Sequence, residues 1–310
     1  MPQMTLEPRA CPICGTHDGG TEFAKANVNL DQLDPFAFAS RKLPEYMHFR
    51  LMECQNCDLI YSDPAPQPAD LAQLYRDAAF DSGVEAHYAS RTYGRFLPAI
   101  VRRLPDRATA LDIGTGDGGF LQELLDAGFT RVAGIEPSTA PIQAAAPAIR
   151  PLIIQDIFRP DSFEPESLSL ITCFQTIEHL ADPLSFCRNA WQTLKPGGAL
   201  FLIGHNRRAL SAKVLGFKSP IFDIEHMQLF SPSSLRQLLQ TAGFQTVDLQ
   251  TVLNRYPARY WARLFPAPRM LKPRLISMLQ TSGLGRCVIP LPAGNLAAIA
   301  YKAPLLTPSR

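Results

Sequence analysis

The chain is 310 residues long with 46% hydrophobic and 19% charged residues, the size of about two domains and the make-up of a globular protein, which excludes disordered and fibrous classes. Its first residues, MPQMTLEPRA, hold no apolar signal region, and no run approaches the roughly 18 apolar residues of a membrane span, so a cytoplasmic protein is expected. The net charge of +2 hides an asymmetry: nine of the 30 Lys and Arg follow Asp248, where no Asp or Glu occurs, which makes the C-terminal segment a basic appendage on an acidic body.

The first elements in chain order are two C-x-x-C pairs, Cys11-Pro-Ile-Cys14 and Cys54-Gln-Asn-Cys57. Two chelating turns of soft ligands are what a closed, structural tetrahedral Zn²⁺ site needs, with His17 and His48 lying between them as further donors. Neither pair opens a helix after a strand, as redox pairs usually do. The remaining cysteines, Cys173, Cys187 and Cys287, stand alone in apolar sequence and are read as buried packing residues. The run Ser62 to Asp70 is Pro-rich and reads as a linker, closing a zinc-binding module over residues 1–69. Apolar residues at helical spacing, from Leu71, Leu74 and Tyr75 to Tyr93, Phe96, Leu97, Ile100 and Leu104, predict a helical cap over 70–105.

From residue 106 onward strands and helices alternate. ATALDI, RVAGIE, PLIIQ, LSLITCF and ALFLIG read as strands, and FLQELLDAGF, STAPIQAAAPAI and ADPLSFCRNAWQTL as helices. Ser231-Pro232 supplies an N-cap and a Pro at the first turn for SLRQLLQTAGF, and two more strands, FQTVDLQTVL and NLAAIAY, flank a basic insertion over 254–290. The predicted fold class is α/β: a Rossmann-like, mainly parallel sheet with helices on both faces over 106–310, plus the small zinc-ribbon-like module.

LDIGTGDGGF places G-x-G-x-x-G between a strand and a helix, and Glu136 ends the next strand. Such glycines allow a tight turn and close ligand approach, and the acid grips ribose hydroxyls. Charge chooses the cofactor: Asp112 and Asp117 would repel the pyrophosphate of a dinucleotide, whereas S-adenosylmethionine brings an ammonium and a sulfonium that acids favour.

These segments resemble the class I S-adenosylmethionine-dependent methyltransferases. LDIGTGDGGF is similar to their first motif, GIEPS to the second, LSLITCFQTIEHLADP to the strand-four segment and LKPGGALFL to the turn into strand five. The resemblance implies that Asp112, Gly114, Thr115 and Gly116 surround the methionine part, that Glu136 with Pro137 meets the ribose, that Asp156 and Ile157 meet the adenine, and that Gln175 lies over the cofactor. Asp156 also suits the simple start of a loop. CPICG and RLMECQNCDLIYSDPAPQPADLAQLY resemble the front module of bacterial methyltransferases acting on sugars, surface polysaccharides and secondary metabolites.

Methyl transfer to oxygen or carbon needs a base, and two pairs stand at loops expected on the cofactor side of the sheet, Glu178-His179 and Glu225-His226. IEHMQLFS is similar to the HEHFSYFS-like segment of sugar C-methyltransferases, in which the Glu-His pair takes part in proton removal, although Ile224 stands where that pattern has its first His. Glu225 and His226 are therefore the first candidates and His179 the next, against the plainer reading of hydrogen-bonded structural histidines. Tyr88, Arg91 and Tyr93 are candidates to cover the cofactor, against the plainer reading of packing on an edge helix.

In the insertion, Tyr256, Tyr260, Trp261 and Phe265 alternate with Arg255, Arg259, Arg263, Arg269, Lys272 and Arg274. That pattern suits a phosphate-bearing acceptor, an acidic lipid surface, RNA, or a lid with solvated arginines. The leading expectation is a methyltransferase acting on a sugar, nucleotide sugar or glycan precursor. An RNA methyltransferase is the alternative, opposed by the acidic body, and a non-catalytic cofactor-binding interaction protein is the third, opposed by the intact motifs.

Overall fold

The computed structural model describes residues 4–17, 19–29, 37–38, 45–80, 83–159, 162–264, 277–279 and 283–304. Short strands come first: β1 (Leu6–Glu7), β2 (Gly20–Ala24), β3 (Leu51–Cys54), β4 (Ile60–Ser62) and β5 (Ala65–Pro66), followed by helices α1 (Pro68–Arg76), α2 (Gly83–Gly94) and α3 (Leu97–Val101). The alternating part comprises β6 (Thr109–Ile113), α4 (Gly119–Asp126), β7 (Arg131–Ile135), α5 (Thr139–Ala144), β8 (Ile153–Ile154), β9 (Leu168–Phe174), α6 (Pro183–Thr193) and β10 (Leu194–His205). It continues through α7 (Leu210–Leu215), β11 (Gln228–Leu229), α8 (Pro232–Thr241), β12 (Thr246–Thr251), β13 (Asn254–Pro257), α9 (Ala258–Leu264), β14 (Val288–Leu291) and β15 (Asn295–Tyr301).

Seven strands form the central sheet in the order β12-β15-β10-β9-β6-β7-β8. Strands β8, β7, β6, β9 and β10 run parallel, while β15 is inserted antiparallel to both β10 and β12. Both faces are buried, which is why these strands read as nearly unbroken apolar runs. The two-residue period sorts the side chains: Leu111, Ile171, Cys173, Leu200, Leu202 and Ala298 pack on one face with Cys187, Leu235 and Leu238 of α6 and α8. Ala110, Leu170, Phe201, Ile203 and Ile299 pack on the other with Tyr93, Leu97, Phe120 and Leu124 of α2, α3 and α4.

Helix starts obey local chemistry. Asp182 caps α6 by accepting from the backbone N–H of Ser185, and Ser231 with Ser234 forms a reciprocal capping box on α8; a Pro occupies the first turn of each. The same device corrects the expected linker over 62–70: Ser62 ends β4, Ala65–Pro66 is a strand, and α1 begins at Pro68, where a missing N–H costs nothing. Helix α5 stops at Ala144, well short of the expected residue 149, because Ala145 turns extended ahead of Pro147. Cys173 and Cys187 are buried as expected, but Cys287 is exposed, since it leads into the outer two-stranded pairing of β13 with β14.

The cysteine-bearing strands are joined to the rest by a strand that comes from late in the chain. Their four-stranded sheet runs β11-β4-β3-β2, so Gln228 and Leu229 pair antiparallel with Tyr61 and Ile60. Cys11, Cys54, Cys57, Leu59 and Tyr61 share one apolar cluster with α6, α8 and the central sheet. Among the described residues, no helix is long and apolar enough to cross a membrane.

Candidate active site

Strand β6 ends at Ile113, and the chain then turns through Gly114, Gly116 and Gly118, each at positive φ, before α4. A side chain at Gly114 would run into Thr176, and one at Gly118 would reach Ile149 at 2.4 Å, so backbone conformation and space both require glycine there. Gly116 instead faces open space, with nothing within 4 Å of where a Cβ would stand. The turn is tied to the next strand: Gly114 and Thr115 both donate to the Ile135 carbonyl at 2.9 and 3.1 Å. Glu136, buried at the end of β7, accepts from Gly116 N and Ser138 N, each at 2.9 Å. Pro137 spaces these two bonds, and Ser138 Oγ donates to the Tyr75 carbonyl at 2.6 Å, which draws the end of α1 over the turn.

Asp112, in β6 just before the turn, is buried against β9. Its carboxylate accepts from Thr172 Oγ1 at 2.6 Å and is pushed up to about 7 by burial. Gln175, just past β9, holds φ +49, a left-handed conformation that is uncommon and costly away from glycine. Its backbone N–H donates to Ile203 O at 2.7 Å, and its buried side-chain Nε2 has no acceptor within hydrogen-bond distance among the described residues. An unmatched buried donor beside an open glycine turn fits a polar ligand such as the aminoacyl end of S-adenosylmethionine. Asp156 and Ile157 are exposed on the loop after β8; Asp156 accepts from Ile157 N and pairs with Arg159 at 3.2 Å. Tyr93 is buried against Phe174, whereas Arg91 is exposed and Tyr88 lies 6.3 Å from Tyr256.

Beyond β9 and β10 the two Glu-His pairs converge. His226 lies 5.0 Å, ring to ring, from both His179 and His205. Glu225 Oε2 is 4.0 Å from His179 Nδ1, and Glu225 Oε1 is 3.8 Å from His226 Nε2. Glu178 is completely enclosed, facing His205 Nε2 at 3.8 Å, and burial lifts it to about 7. Burial also lowers the histidines, His179 to about 3 and His205 to about 4; His226 is lowered further by the charges that its two neighbours would carry. All three rings are therefore neutral near pH 7. His226 Nδ1 donates to the Ile221 carbonyl at 2.9 Å, leaving Nε2 with the lone pair. Tyr75 Oη donates to the Glu225 carbonyl at 3.0 Å and meets His179 Nδ1 at 2.9 Å.

Tyr75 and His205 escaped the sequence reading. Tyr75 looked like one more apolar position of an amphipathic helix, and His205 ends a strand with no partner beside it in sequence. His205 falls at the carboxyl end of a strand, which is a signal for it, whereas Tyr75 lies in helix α1 and carries none. Ile224, wholly buried, packs with Phe49, Leu71 and Met227, so the position where the sugar C-methyltransferase pattern has His is a core position here.

The four paired cysteines form a second cluster, with all sulfurs within 4.8 Å of one another, Cys11 and Cys57 at 3.4 Å and Cys14 and Cys54 at 3.5 Å. His48 is not among them: its Nδ1 bonds the Phe49 carbonyl at 2.8 Å and its ring stacks on Phe217; His17 also lies outside the cluster. In the basic insertion, Tyr256, Tyr260 and Trp261 pack on one another at 4.4–6.1 Å, and Arg255 N donates to Thr92 of α2. Phe265, Arg269, Lys272 and Arg274, and the side chain of Arg263, fall outside the described residues.

Residues 86–249 match the family described as Methyltransferase domain, a span that holds the glycine turn, Glu136, Gln175 and both Glu-His pairs. A ubiquinone biosynthesis O-methyltransferase of Xanthomonas campestris pv. campestris (strain B100) is 32% identical over 170 residues, covering 51% of this chain and 70% of the relative. The same-named protein of Pseudomonas putida (strain GB-1) is 28% identical, covering 49% and 73%. A solved S-adenosylmethionine-dependent methyltransferase of Archaeoglobus fulgidus superposes with a TM-score of 0.47 at 16% identity, covering 69% of this chain and 94% of that one. With more than half its length matched, the chain belongs to the Methyltransferase domain family and is an S-adenosylmethionine-dependent methyltransferase.

Proposed function

We propose that this enzyme methylates a hydroxyl-bearing small molecule, a sugar, nucleotide sugar or glycan precursor, at the cluster of Tyr75, Glu178, His179, His205, Glu225 and His226. The observation that carries this reading is the neutral His226, whose Nδ1 is engaged by a backbone carbonyl and whose Nε2 faces Glu225. Bound S-adenosylmethionine supplies an electrophilic methyl group. The backbone of Gly114, Thr115 and Gly116 with Gln175 holds its methionine end, Glu136 and Pro137 its ribose, and Asp156 and Ile157 its adenine. His226 Nε2 takes the proton from the acceptor as the nucleophile forms, and Glu225 stabilises the imidazolium. His179, fixed by Tyr75, orients the acceptor. A neutral ring is free to accept the proton, and the Glu225 carboxylate beside Nε2 offsets the loss of basicity that burial imposes on His226.

The four cysteines, whose sulfurs all lie within 4.8 Å of one another, would hold a structural Zn²⁺, two chelating thiolate pairs being the donor set of a closed zinc site. Arginines of the acid-free segment, Arg255 and Arg259 among them, recognise a phosphate on the acceptor. The relatives' name favours an oxygen as the receiving atom within this reading.

The test is transfer of labelled methyl from S-adenosylmethionine into host extract divided into nucleic-acid, lipid and carbohydrate or small-molecule fractions. Label in the last fraction is expected, and label in RNA would overturn the reading in favour of an RNA methyltransferase.

A further inference from the structure

We propose that the cysteine module positions the proton-removing cluster through Arg9, whose guanidinium clamps the two loops that carry His179 and His226. This rests on the reading of that cluster as the site of proton removal. Arg9 lies two residues before Cys11 and reaches across to three acceptors: Met227 O at 3.2 Å, Ala181 O at 2.6 Å and Gln228 Oε1 at 2.8 Å. Met227 follows His226 directly, and Ala181 stands two residues after His179. The contact with Gln228 orients its amide so that Nε2 donates to both Ile177 O and Leu180 O at 2.8 Å, the residues on either side of Glu178 and His179. Met227 N in turn donates to the Glu178 carbonyl at 2.9 Å and Ser62 N donates to Met227 O at 2.9 Å. One planar cation with several fixed donors thus reinforces two loops that Met227 N and the Gln228 amide already tie together.

A second grip works from the other cysteine pair. Asp58, next to Cys57 and at φ +61, holds both Arg207 and Arg208, just after His205 at the end of β10. All three histidines of the cluster are therefore approached by the module within a few residues. A shift of about 1 Å in a catalytic group costs as much as a hundredfold in rate, so a clamp at this distance from the base acts on turnover more than on cofactor binding.

The experiment uses Arg9→Lys in the full chain, which keeps the charge but removes the planar fork, with Arg103→Ala as the comparison. Arg103 pairs with Asp248 at 2.6 Å and lies over the Tyr301 ring, away from Arg9 and its partners. Imidazole resonances of the protein's six histidines are followed by NMR as pH falls. The titratable groups facing His226 are Tyr75 from α1, Glu178 and His179 after β9, His205 of β10 and the adjacent Glu225. The result expected for Arg9→Lys is a rise of at least one pH unit in the midpoints of His179 and His226. Turnover into the small-molecule fraction should fall about tenfold with the Kd for S-adenosylmethionine within twofold of the parent, while Arg103→Ala moves none of these. Unchanged histidine midpoints in a folded Arg9→Lys protein, or equal shifts in both variants, overturn the proposal. If the parent protein transfers no label at all, the functional reading fails, and the histidine titration still decides whether Arg9 positions the cluster.

Discussion

The cofactor turn is made from one continuous stretch, Asp112 to Ser138, whereas the cluster opposite it draws Tyr75 from α1, Glu178 and His179 from beyond β9, His205 from β10 and Glu225–His226 from the loop before β11. In the first region the turn's own bonds stay within the stretch, Gly116 to Glu136, Ser138 to Glu136 and Gly118 to Thr115, with Thr172 on Asp112 and Tyr75 on Ser138 as the reaches outside it. In the second the deciding bonds span long sequence separations, as from Tyr75 to Glu225 or Arg9 to Met227. In the reading proposed above, a ligand shared by many enzymes is met by a turn largely complete in itself, and the acceptor by a set of residues that only the finished fold assembles.

The contrast is sharpest under substitution of the base. Glu225→Gln and His226→Gln are each expected to lower kcat by about 10²- to 10⁴-fold while leaving the Kd for S-adenosylmethionine, measured by calorimetry, within about threefold. Equal loss of cofactor affinity would erase the division. Cys54→Ser should come next: metal content falls from about one ion per chain, the thermal midpoint drops by more than about 5 °C, and transfer falls more than cofactor binding because the module's loss frees the acceptor side. On the other side, Gly114→Ala puts a Cβ against Thr176 at a φ of +70 and should weaken cofactor binding about tenfold, with turnover largely restored at saturating S-adenosylmethionine.

Acidity probes the cluster as well. Its histidines have folded-state values below their unfolded value, so they favour the folded state above about pH 6.5 and lose that contribution as pH falls toward about 4 and then about 3. Glu178 and Asp112, lifted to about 7, act oppositely, with a contribution present below about pH 4 and lost as pH rises through 7. Glu178→Gln should therefore make the loss of stability below pH 6.5 steeper, read by denaturant unfolding at pH 7 and pH 5. The smallest effect is expected at Asp156→Ala, whose exposed partner Arg159 contributes little; cofactor Kd should change about threefold or less.

The same contrast explains what the sequence made legible. The glycine turn, Glu136 and the strand pattern follow from periodicity and spacing within some 30 residues, and the four cysteines follow from two short chelating turns. The antiparallel insertion of β15 between β10 and β12 has no local signal, because NLAAIAY alternates inside and outside identically in either direction. Nor does Gln228–Leu229 look like a strand: two residues gain extended structure only because Tyr61 and Ile60 offer an open edge. Tyr75 and His205 were hidden for the same reason, since their role depends on neighbours distant in sequence.

The pairing of β11 with β4 also bears on how this enzyme can be recombined. A chimera cut at residue 69 would bring a foreign edge strand against Gln228–Leu229 and leave Arg207 facing an unmatched Asp58 or Glu53 counterpart. Exchange of acceptor preference between such enzymes therefore calls for two cuts, with the front strands and the 205–230 stretch travelling together as one cassette.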